Sequence, residues 1–327
     1  MKKNQWLGIV VIVCAVVLLA AGLQKLPFAR AEQYRVGDAE ITDTVRNLIV
    51  NWTSGAVHIA YHEGNAILIS EHTEGALSED RRMHWRLAGD TLEIEYDRPG
   101  FRLFSFLPHR KELTVVLPNA LLLNQADISA TSATLDIPAL RADSLRLETT
   151  SGSIRAGVDA RVVEGKLTSG SVALQVSDRA ETVRIKATSG DIALRAEQVS
   201  DQCKLDTTSG TVRAAVKRAG SFQAHSTSGG ISAAIGEAKQ ASMEATSGTV
   251  AVEVAAVAAL EIQTTSGNVT AALPTATGFT AQIETTSGRV VHQLPLTQQG
   301  KTYVYGDGSA AVKIRTTSGN VTIDGVN

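Results

Sequence analysis

The chain has 327 residues, a formal net charge of −2, 4% aromatic residues and two cysteines. That balance argues against non-specific nucleic-acid binding driven by an overall basic surface, and Cys14 and Cys203 form neither a disulfide framework nor a CxxC metal or redox motif. Few aromatics, with abundant Ala, Val, Thr, Ser and Gly, suit thin, regular β structure better than a bulky core.

Lys2 and Lys3 precede an unbroken apolar run over residues 7–23, "LGIVVIVCAVVLLAAGL". This run sits at the short limit for a transmembrane helix and is long for a signal-peptide core. The expectation is that residues 1–31 form a hydrophobic helix, a single-pass anchor in the cell membrane, with the bulk of the chain outside the cytoplasm. The alternative is secretion after cleavage near Ala31, at the Ala29-x-Ala31 site. Cys203 reads as a small buried apolar residue.

Residues 32–118 read as an N-terminal β region that caps the repeats beyond it. "NLIVNWTSGAVHIAY" alternates, with Leu48, Val50 and Trp52 inward, then Val57, Ile59 and Tyr61. "MHWRLAGDTLEIEY" reads as a hairpin turning near Gly89-Asp90, and "ELTVVLP" as a strand stopped by Pro118. Between them lies a basic, aromatic loop: Arg98, Phe101, Arg102, Phe104, Phe106, His109, Arg110 and Lys111. Two roles stay open for it, a contact with lipid headgroups or another envelope protein, or an apolar plug for the end of a rod.

Residues 119–327 repeat. Thr-Ser-Gly ends at Gly152, Gly170, Gly190, Gly210, Gly229, Gly248, Gly267, Gly288 and Gly319, with a degenerate copy at Thr131-Ser132-Ala133. Seven residues before each glycine stand Leu145, Val163, Val183, Cys203, Phe222, Ala241, Leu260, Ala281 and Val312; five before stand mostly Leu, Ile, Ala or Met. Charged and polar residues fill the positions between, which is the period-2 mark of a strand with one buried face. Two residues after each glycine stands a β-branched residue, from Ile154 to Val321. The inward parity slips by one at the triplet, so the chain turns a corner there, with a glycine conformation that a Cβ would disfavour. The serine is expected inward and the threonine before it outward.

A unit this small cannot bury its apolar face alone, but a stack of them can. The fold class expected is all-β: a right-handed parallel β-solenoid of about ten rungs of 18–21 residues. The spacing before Gly319 is longer and holds an insertion, "PLTQQGKTYVYGDGSA", read as a hairpin that either folds over the C-terminal end or leaves it as an open docking edge.

No catalytic, cofactor-binding or metal-binding residues emerge. A nucleophilic serine is singular and needs a matched base, whereas here the serines are equivalent and repeated. His58 and His62 share a strand face, but no third ligand stands at a convincing offset, although His72 and His84 are near. The outward carboxylates Glu148, Asp206, Glu244, Glu261 and Glu284 are interleaved with Lys, Arg and Gln rather than focused as a glycosidase pair.

On the "TTSG-x-V" rungs and "ELTVVLPNA" leading into them, residues 40–327 resemble a bacterial family of β-strand-repeat proteins of unknown function, labelled candidate adhesins and including the LiaG-like cell-envelope proteins. The resemblance implies an extracytoplasmic, often membrane-anchored protein, sometimes linked to envelope stress, and supplies no catalytic residues. The reading is a non-enzymatic scaffold for interaction or adhesion, whose partner is an envelope protein or a cell-wall polymer; the alternative is a carbohydrate-active or polysaccharide-binding β-helix.

Overall fold

The computed structural model describes residues 34–99 and 110–326. Within the repeats, the alternating sequence does what its period requires. Positions seven and five before the corner glycines are buried, for example Leu145 and Leu147, Cys203 and Leu205, and Val312 and Ile314. The β-branched residues two after it, Ile154, Val172, Ile192, Val212, Ile231, Val250, Val269 and Val321, are buried as well. Strand character runs through the corners, so β8 (Leu123–Val176) and β9 (Ala180–Ser209) each take in more than one turn of the coil. Next come β10 (Val212–Ser228), β11 (Ile231–Ser247) and β12 (Val250–Ser266), each parallel to its neighbour and in register: Val212 faces Ile231, which faces Val250. The variable return after each pair of strands carries a short ladder of its own, with Val199, Ala219, Ala238 and Val257 buried in line. Each turn therefore has three ladders, one before the corner, one after it and one on the return.

The corner glycines stack backbone on backbone. A Cβ built on Gly210 would lie 2.1 Å from the carbonyl oxygen of Gly190, one on Gly229 1.9 Å from that of Gly210, and one on Gly248 2.0 Å from that of Gly229. The expected reason for glycine was backbone freedom, and the structure corrects it. Only Gly55 and Gly170 among these corners lie in the left-handed region, at φ 103° and 119°. Elsewhere glycine is required because the next level leaves no room for a side chain.

The levels do not stack in chain order at either end. β3 (Asn47–His62) pairs on one side with β8, Gly55 facing Ala133. On its other side it pairs with β6 (Thr91–Glu95) and β7 (Lys111–Pro118), which together make the outermost parallel level. Beyond that level the chain runs antiparallel. β5 (His84–Ala88) pairs with β6 across the Gly89-Asp90 turn, and β4 (Ile67–Thr73) pairs with β7. β1 (Arg35–Val36) and β2 (Ala39–Ile41) close the margin. Antiparallel strands cannot template another parallel level, so the edge is protected.

The C-terminal end repeats the device. β13 (Val269–Pro274) leads to β14 (Phe279–Ser287) and β15 (Val290–His292), then to a hairpin of β16 (Thr297–Gln299) and β17 (Thr302–Tyr305). The last strands, β18 (Ala310–Ser318) and β19 (Val321–Val326), slot in behind them. β18 pairs with β12 on one side and β14 on the other, and β19 with β13 and β15. The corner column thus reads Lys111, Gly55, Ala133, Gly152, Gly170, Gly190, Gly210, Gly229, Gly248, Gly267, Gly319, Gly288. It has twelve levels rather than the expected ten or so, and the last corner of the chain is the second from the end. β17 lies antiparallel on the outer edge of β14, Tyr305 facing Phe279, so the inserted hairpin covers residues 279–282 of that end.

The N-terminal expectations do not carry over. The single-pass cell-membrane location is not sustained, because no helix among the described residues is long and apolar enough to cross a membrane. The helical content of those residues is a 3-10 turn, Glu79–Arg81. The apolar run over 7–23, its expected helix and the cleavage site near Ala31 lie outside the described residues.

Replacing Gly210 with Val should lower the melting temperature by an amount equivalent to roughly 3 kcal/mol or more, since the contact it creates is with backbone that cannot yield. Replacing exposed Lys186 with Ala should leave it unchanged. Thermal denaturation of the two variants checks this, and equal shifts would refute the stacking account.

Candidate functional site

The Thr-Ser-Gly serines are the first candidates, and their placement corrects the expectation. Ser151, Ser189, Ser209, Ser228, Ser247, Ser266, Ser287 and Ser318 are exposed, not inward. The inward residue is the one before the triplet. Its hydroxyl donates to the carbonyl of the adjoining corner: Thr207 to Gly190 at 3.1 Å, Ser226 to Gly210 at 3.2 Å, Thr264 to Gly248 at 3.2 Å, Thr316 to Gly267 at 3.2 Å and Thr285 to Gly319 at 3.1 Å. A buried carbonyl needs a donor, which is why the repeat so often reads Thr-Thr-Ser-Gly. At the level of Gly55 the indole of Trp52 takes the same role, donating to the carbonyl of Lys111 at 3.1 Å. These hydroxyls hold the corner and face no histidine base.

The strands after the corner present an open groove of about 920 Å³ along the coil. Its floor is made of short side chains, Ala173, Ala193, Ala215, Ala234 and Ala251, with Ser232 and Thr270 among them. Arg155, Arg195 and Arg213 line the same groove. None of the three forms an ion pair among the described residues; Arg213 donates to the hydroxyl of Thr211 at 2.8 Å. Asp136 and Glu253 stand toward opposite ends. The sequence reading missed this face, because it tracked the inward columns; the outward positions three and five after each glycine carry the signal.

The strands before the corner are different. Most of their charges meet opposite ones: Glu148 meets Arg146 at 3.0 Å and Lys166 at 2.8 Å, Lys204 meets Asp206 at 3.7 Å, Lys313 meets Glu261 at 2.9 Å, and Arg315 meets Glu284 at 3.1 Å, while Arg184 donates to Gln202 at 2.9 Å and Lys186 forms no ion pair among the described residues. Partial burial pushes the Glu148 carboxyl up, but its hydrogen bonds from Lys166 and Arg146 hold it below the usual carboxylate range. Glu244 lies 3.6 Å from His225. The outward carboxylates singled out in the sequence are thus counter-ions rather than a converging catalytic pair. A second hollow, of about 720 Å³, lies on this face beside the C-terminal hairpin, lined by Gln223, Gln240, Gln282 and Thr302 among others.

The loop expected to bind or plug is only partly placed. Phe101, Arg102, Phe104, Phe106 and His109 lie outside the described residues. Arg98 pairs with Asp80 at 3.0 Å, and Arg110 is exposed. Lys111 is fully buried and cannot belong to an interaction surface. Its ammonium lies 2.6 Å from Glu71 and donates to the carbonyls of Arg81, at 2.8 Å, and Tyr96. Tyr96 also presents its ring 3.9 Å away, and Trp52 meets Tyr96 edge-on. Burial lowers the Lys111 pKa, and its hydrogen bond to Glu71 opposes that fall. All three ammonium donors are used, so Lys111 is the closing stone of the N-terminal level.

The histidines do not converge. His58 lies 3.6 Å from Asp136, His62 contacts the Ala66 carbonyl, and buried His84 contacts that of Arg82. No group of three His, Cys, Asp or Glu among the described residues could hold a metal ion. Cys203 is buried, and its thiol is pushed up to about 12 by that burial.

The family model described as Toastrack DUF4097 matches residues 45–247 and 204–324. Three solved structures similar to the chain are a candidate cell adhesion protein from Clostridium sporogenes, a candidate lipid binding protein from Parabacteroides distasonis and a candidate adhesin from Bacteroides fragilis. The first is 13% identical over 89% of this chain and 100% of its own, with a TM-score of 0.20. The second is 14% identical over 90% and 97%, with a TM-score of 0.38. The third is 12% identical over 89% and 97%, with a TM-score of 0.30. No curated protein matches the chain.

The Lys111 cage makes its own forecast. Glu71→Met strands a buried ammonium and should cost roughly 3–5 kcal/mol, whereas the double variant Glu71→Met/Lys111→Met should recover part of that, the Met83 amide and the Arg81 and Tyr96 carbonyls having lost their partners. Denaturant unfolding of both variants, with the parent, measures the difference; additive losses would show that the two side chains do not act as a pair.

Proposed function

The chain belongs to the Toastrack DUF4097 family, and from that premise we propose that it is a non-enzymatic binding protein whose ligand lies along the strands after the corner. The observation that carries this reading is the coexistence, in one groove, of a floor of small side chains with three arginines that form no ion pair among the described residues. On the strands before the corner most cations meet a carboxylate, Arg184 and Lys186 being exceptions among the described residues. Three arginines lining one groove, with Arg213 also acting on Asp191, favour an anionic partner.

The shape of the groove argues for an extended partner. Eight levels, from that of Ala133 to that of Gly267, contribute to it, and at ~4.8 Å per level they span about 34 Å. Alanine side chains leave a shallow floor without aromatic platforms or deep pockets. A linear acidic polysaccharide suits such a surface, with its carboxylates against Arg155, Arg195 and Arg213 and its hydroxyls against Gln175, Ser232 and Thr270. Guanidinium–carboxylate pairing is strong and directional. This narrows the broader expectation of a cell-wall polymer to an acidic one.

The full chain should be retained by immobilised polygalacturonate and not by neutral dextran, and retention should fall as salt rises. Arg155→Ala/Arg195→Ala/Arg213→Ala should weaken that binding by about tenfold or more, the equivalent of ~1.4 kcal/mol. Lys186→Ala, on the other face, should not weaken it. Equal retention of the triple variant and the parent would sink the assignment.

A further inference from the structure

Residues 279–326 form a unit of their own at the C-terminal end. β14 is held between β17 and β18, β15 lies on β19, and β16 closes the hairpin with β17. Among the described residues, β14 and β15 share no ladder with β12 or β13. The unit meets the rest of the coil through β18 and β19, which lie on β12 and β13 in register. Only one covalent link joins the two parts, residues 275–278, after Pro274.

Both sides of that junction carry the same heptapeptide, Thr-Thr-Ser-Gly-Asn-Val-Thr, at residues 264–270 and 316–322. The two copies lie like on like, Thr264 facing Thr316, Ser266 facing Ser318, Val269 facing Val321 and Thr270 facing Thr322. The hydroxyl of Thr316 donates to the carbonyl of Gly267 at 3.2 Å, the amide of Asn320 donates to the side-chain oxygen of Asn268 at 2.9 Å, and Lys313 meets Glu261 at 2.9 Å. Every one of these contacts is equally available between two chains.

We propose that this unit is an exchangeable cap, and that two copies of the chain associate by each seating its residues 279–326 on the Gly267 level of the other. An internal level has two covalent connections and cannot leave. The cap has one. If it lifts, β12 and β13 present an unpaired parallel edge, which is costly to leave bare, and the cap of a second copy covers that edge with identical bonds. Exchange then changes only the conformation of the link and the entropy of association, the situation that makes swapped dimers accessible. In the closed form the link is held by Thr275, whose amide and hydroxyl both donate to the Val326 carbonyl, at 3.0 and 2.7 Å, and by Ser309 donating to the Thr277 carbonyl at 2.8 Å. Gly278, at φ +70°, makes the turn into the cap.

The test uses full chains in which Cys14 is replaced by Ser. Ala259 and Ala311 face each other across the junction, a separation suited to a disulfide. Chains carrying Ala259→Cys alone are mixed with chains carrying Ala311→Cys alone, incubated over a range of concentrations and oxidised. The expected product is a crosslinked heterodimer of twice the chain mass, joined at 259 and 311 and increasing with concentration. Chains carrying both substitutions, oxidised beforehand, should form the bond internally and stay monomeric. Hydrogen exchange at residues 310–326 is monitored in parallel. Completed exchange there with no 259–311 crosslink between chains would overturn the proposal, since the cap would then open without trading places; protection persisting alongside an absence of crosslink would overturn it too, since the cap would not open.

Discussion

The contact between each corner glycine and the carbonyl oxygen of the adjoining level sets the geometry of everything else. At about 2 Å from a hypothetical Cβ to that oxygen, no rotamer relieves a substitution, because both partners are backbone. The close approach fixes the register of the three ladders in each turn, and register in turn keeps apolar positions on the inside. It also buries a carbonyl that the ladders do not all satisfy. The threonine before the triplet meets that need with its hydroxyl, and Trp52 does so with its indole nitrogen. Thr149 is a buried hydroxyl with no partner, and its level is the one that rests on Ala133, the corner where glycine is replaced.

Much of this architecture could be read from the order of residues alone. Strict alternation and the parity slip place the corner correctly, and the β-branched column after it falls inside as expected. The same column logic failed for the serine, because parity counting cannot say how many residues a corner leaves outside. The second threonine and the serine after it both face outward, and the inward apolar run resumes only at the valine or isoleucine. Glycine was assigned for its φ freedom when the constraint acts between levels, one carbonyl against the next corner, and only the stacked structure exposes it.

The order of levels was the harder matter. Nothing in a period of about nineteen residues says that neighbours in the chain are neighbours in space. The clue lay in the repeated heptapeptide at 264–270 and 316–322, with the different "TTSGRVV" between them in sequence. Like residues stack in ladders, and here the Asn268 side-chain oxygen accepts from the Asn320 backbone amide of the level resting on it. The groove after the corner was equally visible, as alanines at fixed outward offsets, but outward columns carry no burial signal. Lys111 shows the opposite failure. Its charge suggested a surface role, while its place in the corner column and its carboxylate and carbonyl partners put it in the core.

This division of labour bears on how such a coil comes to bind anything. The inward columns and the corners are held by contacts that tolerate little change, so the freedom to acquire a ligand lies in the outward positions of each strand. On the face before the corner most of those positions are occupied by charges that meet opposite ones. After the corner, short side chains remove steric cover from the coil, and the arginines there have no ion-pair partner within the described residues. Under the proposed function, a long, shallow face of that kind would recognise by repetition rather than by a pocket. Each level contributes little, and affinity grows with the number of levels engaged. The same reasoning explains why both ends must be closed by antiparallel strands: a coil built to repeat would otherwise recruit further levels from its neighbours, and the surface that matters would be lost in aggregation.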